Sequence, residues 1–194
     1  MKKDNRIILA SSSPRRKKLL RQIDLDFKVV PSGYKENLKY NSNPFEYVKK
    51  LAKRKAQAVA KSNYDSLVIG ADTIISFQNE IFGKPKTISK AFDTLKKLSG
   101  TSHKVITGVS LLHLEKEIDI NFFQSTLVTI NKLKKKEIDY YIKNYMVFDK
   151  AGSYGIQGYF AVHIKKINGC YFNIMGFPIS LFYLHYKSIQ KKLS

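Results

Sequence analysis

The sequence predicts an α/β fold: a mixed, twisted sheet flanked by helices and divided into two lobes. Three observations predict it. Through the first half of the chain, short apolar runs alternate with amphipathic stretches, the pattern of strand–helix–strand units. Two long extended stretches, residues 104–114 and 117–130, then follow one another directly, as neighbouring antiparallel strands do. Asn168-Gly169, late in the chain, is its strongest short turn signal.

The elements follow in order. Residues 6–10 carry the apolar run Ile7-Ile8-Leu9 of a buried strand. Residues 14–23 form a helix. Pro14 suits its first turn, where a backbone N–H would lack a partner, and Ser11, Ser12 or Ser13 supplies the capping oxygen. A short strand at 27–30 and a polar loop at 31–43 precede a second helix, 44–62. Its apolar face is Phe45, Val48, Ala52, Ala56 and Val59, with Lys49, Lys50, Lys53, Arg54 and Lys61 on the other side. Residues 66–70 form a buried strand, 74–77 extend it, and 78–87 are a loop. A helix at 89–99 stops at Gly100. The strand at 104–114 is mainly apolar and that at 117–130 is more alternating. A helix at 134–145 follows, then a hairpin of 161–167 with 171–174 around the Asn-Gly turn, and a closing helix at 178–191. With no internal repeat and no low-complexity linker, residues 1–194 are expected to form a single domain.

Composition narrows the function classes. The hydrophobic share of 43% fits a soluble globular chain. No apolar run approaches the roughly 18 residues of a membrane helix. The N-terminal apolar stretch, 7–10, is too short for a secretory signal. A lone cysteine, Cys170, excludes an internal disulfide framework and a thiolate metal cluster, so the cytoplasm is the expected compartment. The net charge of +20 invites a nucleic-acid reading. Only five of the 35 basic residues are arginine, however, and the lysines are spread along the whole chain among Asn, Ile, Tyr and Phe. That bias matches drift towards AT-rich codons, and nucleic acid is discounted as a partner.

Several polar residues break the apolar pattern. Lys55 falls inside the apolar stripe of the 44–62 helix, so it either snorkels out or extends into a cleft. Asp72 sits within Leu67-Val68-Ile69-Gly70-Ala71-Asp72-Thr73-Ile74-Ile75, where a buried carboxylate needs a cation, a metal or strong donors. The end of a buried strand is also where an open α/β sheet presents its chemistry. The Ser11–Arg16 stretch joins hydroxyls, a helix N-terminus and two guanidinium groups, a setting that favours anions, phosphate above all. Gly83-Lys84-Pro85 offers an ammonium on a constrained loop. Leu98-Ser99-Gly100-Thr101-Ser102-His103 reads as a helix end with a surface histidine. In the glycine-rich stretch 151–158, Gln157 carries an amide donor and acceptor that can match a nucleobase edge. P-loop, dinucleotide-fold, zinc-protease and serine-hydrolase motifs are all missing, and the four histidines lack metal-ligand spacing.

Taken in order, these fragments form one signature. Leu9-Ala-Ser-x-Ser-Pro-Arg-Arg16, Leu51-Ala-x-x-Lys-Ala56, Gly70-Ala-Asp-Thr73, Gly83-Lys-Pro85, Leu98-Ser-Gly-x-x-His103 and Asp149-Lys-Ala-Gly-x-Tyr-Gly-Ile-Gln-Gly158 resemble the Maf family of nucleoside triphosphate pyrophosphatases. Gly169-x-Tyr-x-Asn173 and Gly176-x-Pro178 resemble the family's tail, so the resemblance covers essentially the whole chain. Ser-Pro-Arg-Arg with Asp-Thr and Gly-Ile-Gln-Gly is similar to the branch that prefers dTTP and UTP.

The resemblance implies a Maf/ITPase-like fold with a nucleotide-binding cleft between the lobes. It implies hydrolysis of dTTP, UTP and modified pyrimidine triphosphates to the monophosphate and pyrophosphate. Asp72 would be the catalytic base. Arg15, Thr73 and Gln157 would set base selectivity, Lys55 and Lys84 would bind phosphates, and Ser11, Ser13, Arg15 and Arg16 would line the anion pocket. Glu36 and Asp72 would hold a divalent cation, Mg2+ or Mn2+. A homodimer is the family's expected state. The chain departs from the family at Lys35, where an acidic residue is usual, and at Phe177, where leucine is usual. The family's association with septum formation implies an alternative role, a nucleotide-binding regulator that restrains cell division.

Overall fold

The computed structural model describes residues 6–34 and 43–193. Its architecture is mixed α/β. Seven strands form one sheet: β1 (Ile7–Leu9), β2 (Lys28–Val29), β3 (Leu67–Phe77), β4 (Glu80–Phe82), β5 (Ser102–His113), β6 (Ile118–Ile130) and β7 (Ile164–Asn168). Their order is β2-β1-β3-β5-β6-β7, with β4 paired to β3. The helices are α1 (Pro14–Arg21), α2 (Pro44–Ala60), α3 (Ile88–Leu98), α4 (Lys135–Asn144), α5 (Tyr171–Ile174) and α6 (Ile179–Leu193). Among the described residues, no helix is long and apolar enough to cross a membrane.

The described residues divide into two compact units. The first takes the chain up to Asp72, with Thr107–Gln124 and everything from Gly176 onward. In it β1 pairs parallel with β2 and β3, and the β1–β3 register ends at Leu9 opposite Ile69. Ile8, Ala10 and Val68 of these strands pack with Ala56, Val59 and Ala60 of α2. The helix comes close because Gly70 has no side chain: a Cβ there would lie 2.3 Å from the Ala52 carbonyl oxygen. Gly108 does the same against the Val48 carbonyl, at 2.5 Å.

The second unit comprises Thr73–Ile106 and Ser125–Met175. Its core gathers Ile75 and Phe82 from the β3–β4 hairpin, Leu95 and Leu98 from α3, Ile138 and Tyr141 from α4, and Tyr154 and Phe160 from the segment before β7.

Three local expectations change. The span 78–87 is not all loop, because β3 turns at Gln78-Asn79 and returns as β4 with Phe77 opposite Glu80. Both turn residues have positive φ, 48° and 61°, which matches the twist of a two-residue hairpin. Residues 66–70 and 74–77 form one unbroken strand, so Asp72 lies mid-strand and not at a strand end. Finally, β7 has no hairpin partner at 171–174, which is a helical turn. The cause is Asn173. The turn buries its amide, whose nitrogen donates to the Val105 carbonyl at 2.9 Å and to Thr126 Oγ1 at 3.0 Å. Thr126 Oγ1 in turn donates to the Cys170 carbonyl at 3.0 Å.

Candidate active site

In the first unit, β1 delivers the chain directly into the start of α1. Pro14 occupies the first turn, and the Ser13 hydroxyl caps it by accepting from the Arg16 backbone N–H at 3.5 Å. Ser13's own N–H donates to the Ser11 hydroxyl at 3.3 Å. The Arg16 guanidinium fixes this corner twice. Nη1 donates to Ser11 Oγ at 3.1 Å, and Nε donates to the Gly176 carbonyl, 160 residues away in sequence, at 2.9 Å. Arg15, beside it in the first turn, is half-buried, and no acidic residue lies in that turn. Hydroxyls, a positive helix end and the Arg16 guanidinium therefore share one corner, which suits an anion.

The second feature of this unit joins two residues that stood out in the sequence. Lys55 projects from α2, and Asp72 from β3. Lys55 Nζ lies 2.5 Å from Asp72 Oδ1, with side-chain exposures of only 14% and 10%. Lys55 extends inward instead of snorkelling to solvent. Two charges this deep need each other, since either alone would lack compensation for lost hydration. Asp72 stands three residues beyond Ile69, the last β3 residue in register with β1, so the pair sits past the carboxyl end of the parallel strands even though β3 itself continues.

Thr73 follows Asp72 and is half-buried. The second unit carries Lys84 and Gln157 on two loops that are bonded together. The Gly152 N–H donates to the Gly83 carbonyl at 3.0 Å. Gly152 has a φ of 67°, and a Cβ there would fall 2.2 Å from Ile75 Cδ1, so only glycine lets the loop lie down on β3. Lys84 is exposed and Pro85 behind it is buried. Tyr154 and Ile156 are buried, whereas Gln157 and Gly158 are exposed, which presents the Gln157 amide outward.

The histidine expected at the surface is in the core. His103 is 1% exposed, and its Nε2 lies 2.6 Å from the Tyr154 hydroxyl. Burial lowers the imidazole pKa from 6.5 to about 4 and raises that of the Tyr154 phenol above its ordinary range. Tyr141 adds a further hold on the same loop, its hydroxyl accepting from the Gly155 N–H at 3.3 Å. His103, Tyr154 and Tyr141 were not among the expected site residues. The His103 motif was visible, but the partner its ring meets in the core is a tyrosine 51 residues downstream.

The structure thus brings Ser11, Ser13 and Arg16 together, pairs Lys55 with Asp72, and ties the loop of Lys84 to that of Gln157. Glu36 lies outside the described residues. Among the described residues, no group of three or more His, Cys, Asp or Glu side chains could hold a metal ion. A buried carboxylate at Asp72 still fits a hard divalent ion that takes one or two protein carboxylates and completes its shell with phosphate oxygens and water.

The chain is similar to several known proteins. The family model described as "Maf-like protein" matches residues 6–188. A dTTP/UTP pyrophosphatase of Ruminiclostridium cellulolyticum is 45% identical over 175 residues, spanning 90% of this chain and 91% of that protein. A dTTP/UTP pyrophosphatase of Bacillus cereus is 43% identical over the same shares of the two chains. Among solved structures, the Staphylococcus aureus Ham1 protein superposes with a TM-score of 0.52 at 16% identity, covering 95% of this chain and 100% of that one. At that identity the likeness concerns the fold alone.

Proposed function

This chain belongs to the Maf-like protein family, and we propose that it hydrolyses dTTP and UTP between the α- and β-phosphates, giving the nucleoside monophosphate and pyrophosphate. The observation that carries the reading is the buried Lys55–Asp72 pair. A unit that holds an ammonium and a carboxylate together, and also carries a helix start suited to an anion, has the two groups that phosphoanhydride hydrolysis needs. One neutralises phosphate charge, and the other takes the proton of the attacking water.

The residues divide the work. Ser11, Ser13 and the α1 N-terminus bind phosphate oxygens, with Arg16 holding the corner rigid. Lys55 and Lys84 place charge along the triphosphate. Asp72 accepts the water proton, and the incoming phosphates compete for Lys55, which frees the carboxylate for that role. Arg15, Thr73 and Gln157 set base selectivity, Gln157 by matching the donors and acceptors on a pyrimidine edge. Asp72 and the expected Glu36 would hold Mg2+ or Mn2+, which would supply charge neutralisation on the triphosphate.

The test is a product assay over a nucleotide panel that includes dTTP, UTP and 5-modified pyrimidine triphosphates, with Mg2+ or Mn2+ added and kcat/KM scored for each. The expected result is one pyrophosphate per monophosphate with pyrimidines preferred. Release of inorganic phosphate instead would sink the assignment.

A further inference from the structure

The exposed tip that carries Gln157 makes none of its own anchoring contacts with the core; those lie just before it in the chain. Gly152 donates to Gly83, Gly155 donates to Tyr141, and the Tyr154 ring is clamped by His103. The His103–Tyr154 contact is the shortest of the three and the only one made by two side chains. The rings meet edge to face, with centroids 5.6 Å apart and planes at 79°, and Phe160 stacks on Tyr154 at 4.7 Å. Burial keeps the imidazole neutral and the phenol protonated, so one hydrogen bond joins His103 Nε2 and the Tyr154 hydroxyl, its direction set by the imidazole tautomer. The other ring nitrogen, Nδ1, is buried with no hydrogen-bond partner. An apolar pair of similar volume would fill this space and leave no polar atom unsatisfied. Packing alone therefore does not call for a histidine here, whereas a fixed direction for the Tyr154 ring does.

We propose that His103 is a positioning residue for base discrimination: by holding the Tyr154 hydroxyl it sets the height of the 151–158 loop and with it the reach of Gln157. It touches neither substrate nor the reacting atoms and acts through the loop. The inference rests on the pyrophosphatase reading given above.

His103→Leu, Tyr154→Phe and His103→Gln, made in the full chain, test it. Tyr154→Phe keeps the ring and guards against the case in which His103→Leu fails to fold. In His103→Leu and Tyr154→Phe, amide hydrogen exchange across residues 151–158 should speed up about tenfold, as expected when a local anchor is lost. In the same two variants the ratio of kcat/KM for dTTP over dGTP should fall about tenfold, mainly through a higher KM for dTTP. His103→Gln, whose amide can either accept from or donate to the same hydroxyl, should recover both properties. If the ratio holds while Tm alone falls, or if exchange stays at the wild-type rate, His103 is core filling and the proposal is overturned. If the wild-type chain releases no pyrophosphate from any nucleotide, it is the pyrophosphatase reading that fails. Exchange, together with equilibrium binding of dTTP against dGTP, then decides the role of His103 by the same criteria.

Discussion

Lys55 and Asp72 come from different elements, α2 and β3, and meet at 2.5 Å. Lys55 breaks the apolar stripe of its helix and Asp72 the apolar run of its strand, and each accounts for the other. This pair yields the sharpest prediction. Asp72→Asn keeps an oxygen for the ammonium, so circular dichroism and urea unfolding should show a folded chain, while kcat should fall about 1,000-fold, as loss of a general base implies. Lys55→Met leaves a buried carboxylate without its cation and should cost about 3–5 kcal/mol in urea unfolding as well as activity. Near-normal turnover by Asp72→Asn would remove the residue from the chemistry.

The two adjacent arginines should separate in experiment. Arg16 makes two charged hydrogen bonds, to Ser11 and Gly176, and its planar fork reaches both at once. Arg16→Lys should therefore destabilise the chain by about 1–3 kcal/mol, because a single ammonium does not reproduce the fork. Arg15→Ala should leave Tm within a degree or two and shift the order of preferred triphosphates. A uniform rise in KM for every nucleotide would show Arg15 to be a phosphate clamp alone.

Gly70→Ala tests how α2 is seated on β3. The new methyl would meet backbone atoms of Ala52 and Ala56 at 2.3 and 2.7 Å, so the helix itself must move. A loss of about 1–3 kcal/mol is expected from such overpacking. Because Lys55 lies next to Ala56, kcat should fall too. A variant with wild-type Tm and kcat would mean that the helix slides freely, against this packing.

Stability should depend on pH through His103. Its folded pKa, about 4, lies below the unfolded value of 6.5, so between these values the unfolded chain binds the extra proton. Stability from this group is therefore complete above pH 6.5 and is lost as pH falls towards 4, amounting to about 3 kcal/mol over that window. Burial lowers the His113 pKa as well, which adds loss of the same sign. Urea midpoints measured from pH 7.5 to 4.5 should fall less steeply in His103→Gln than in the wild type. Parallel curves would show that His103 does not titrate in this way.

The sequence disclosed the helices and long strands because their apolar periodicity is local, as the run Val48, Ala52, Ala56 and Val59 illustrates. It marked Lys55 and Asp72 as anomalies but not as partners, since their contact joins a helix to a strand. What it missed has non-local causes. His103 meets Tyr154 in the core, and residues 171–174 turn helical because Asn173 finds acceptors on β5 and β6. The β3–β4 hairpin escaped notice because Gln78-Asn79 adopts positive φ without the glycine that usually signals such a turn. Glu36, the expected second carboxylate, lies outside the described residues.

The bond from Arg16 to the Gly176 carbonyl also bears on how the chain matures during synthesis. The residues of the Ser-Pro-Arg-Arg corner leave the ribosome before the acceptor that orients Arg16, which is made 160 residues later. At ordinary elongation rates that interval is on the order of ten seconds. The nascent chain thus carries the Ser11–Arg16 stretch long before it can set its geometry, and the corner is completed only once the segment with Gly176 docks.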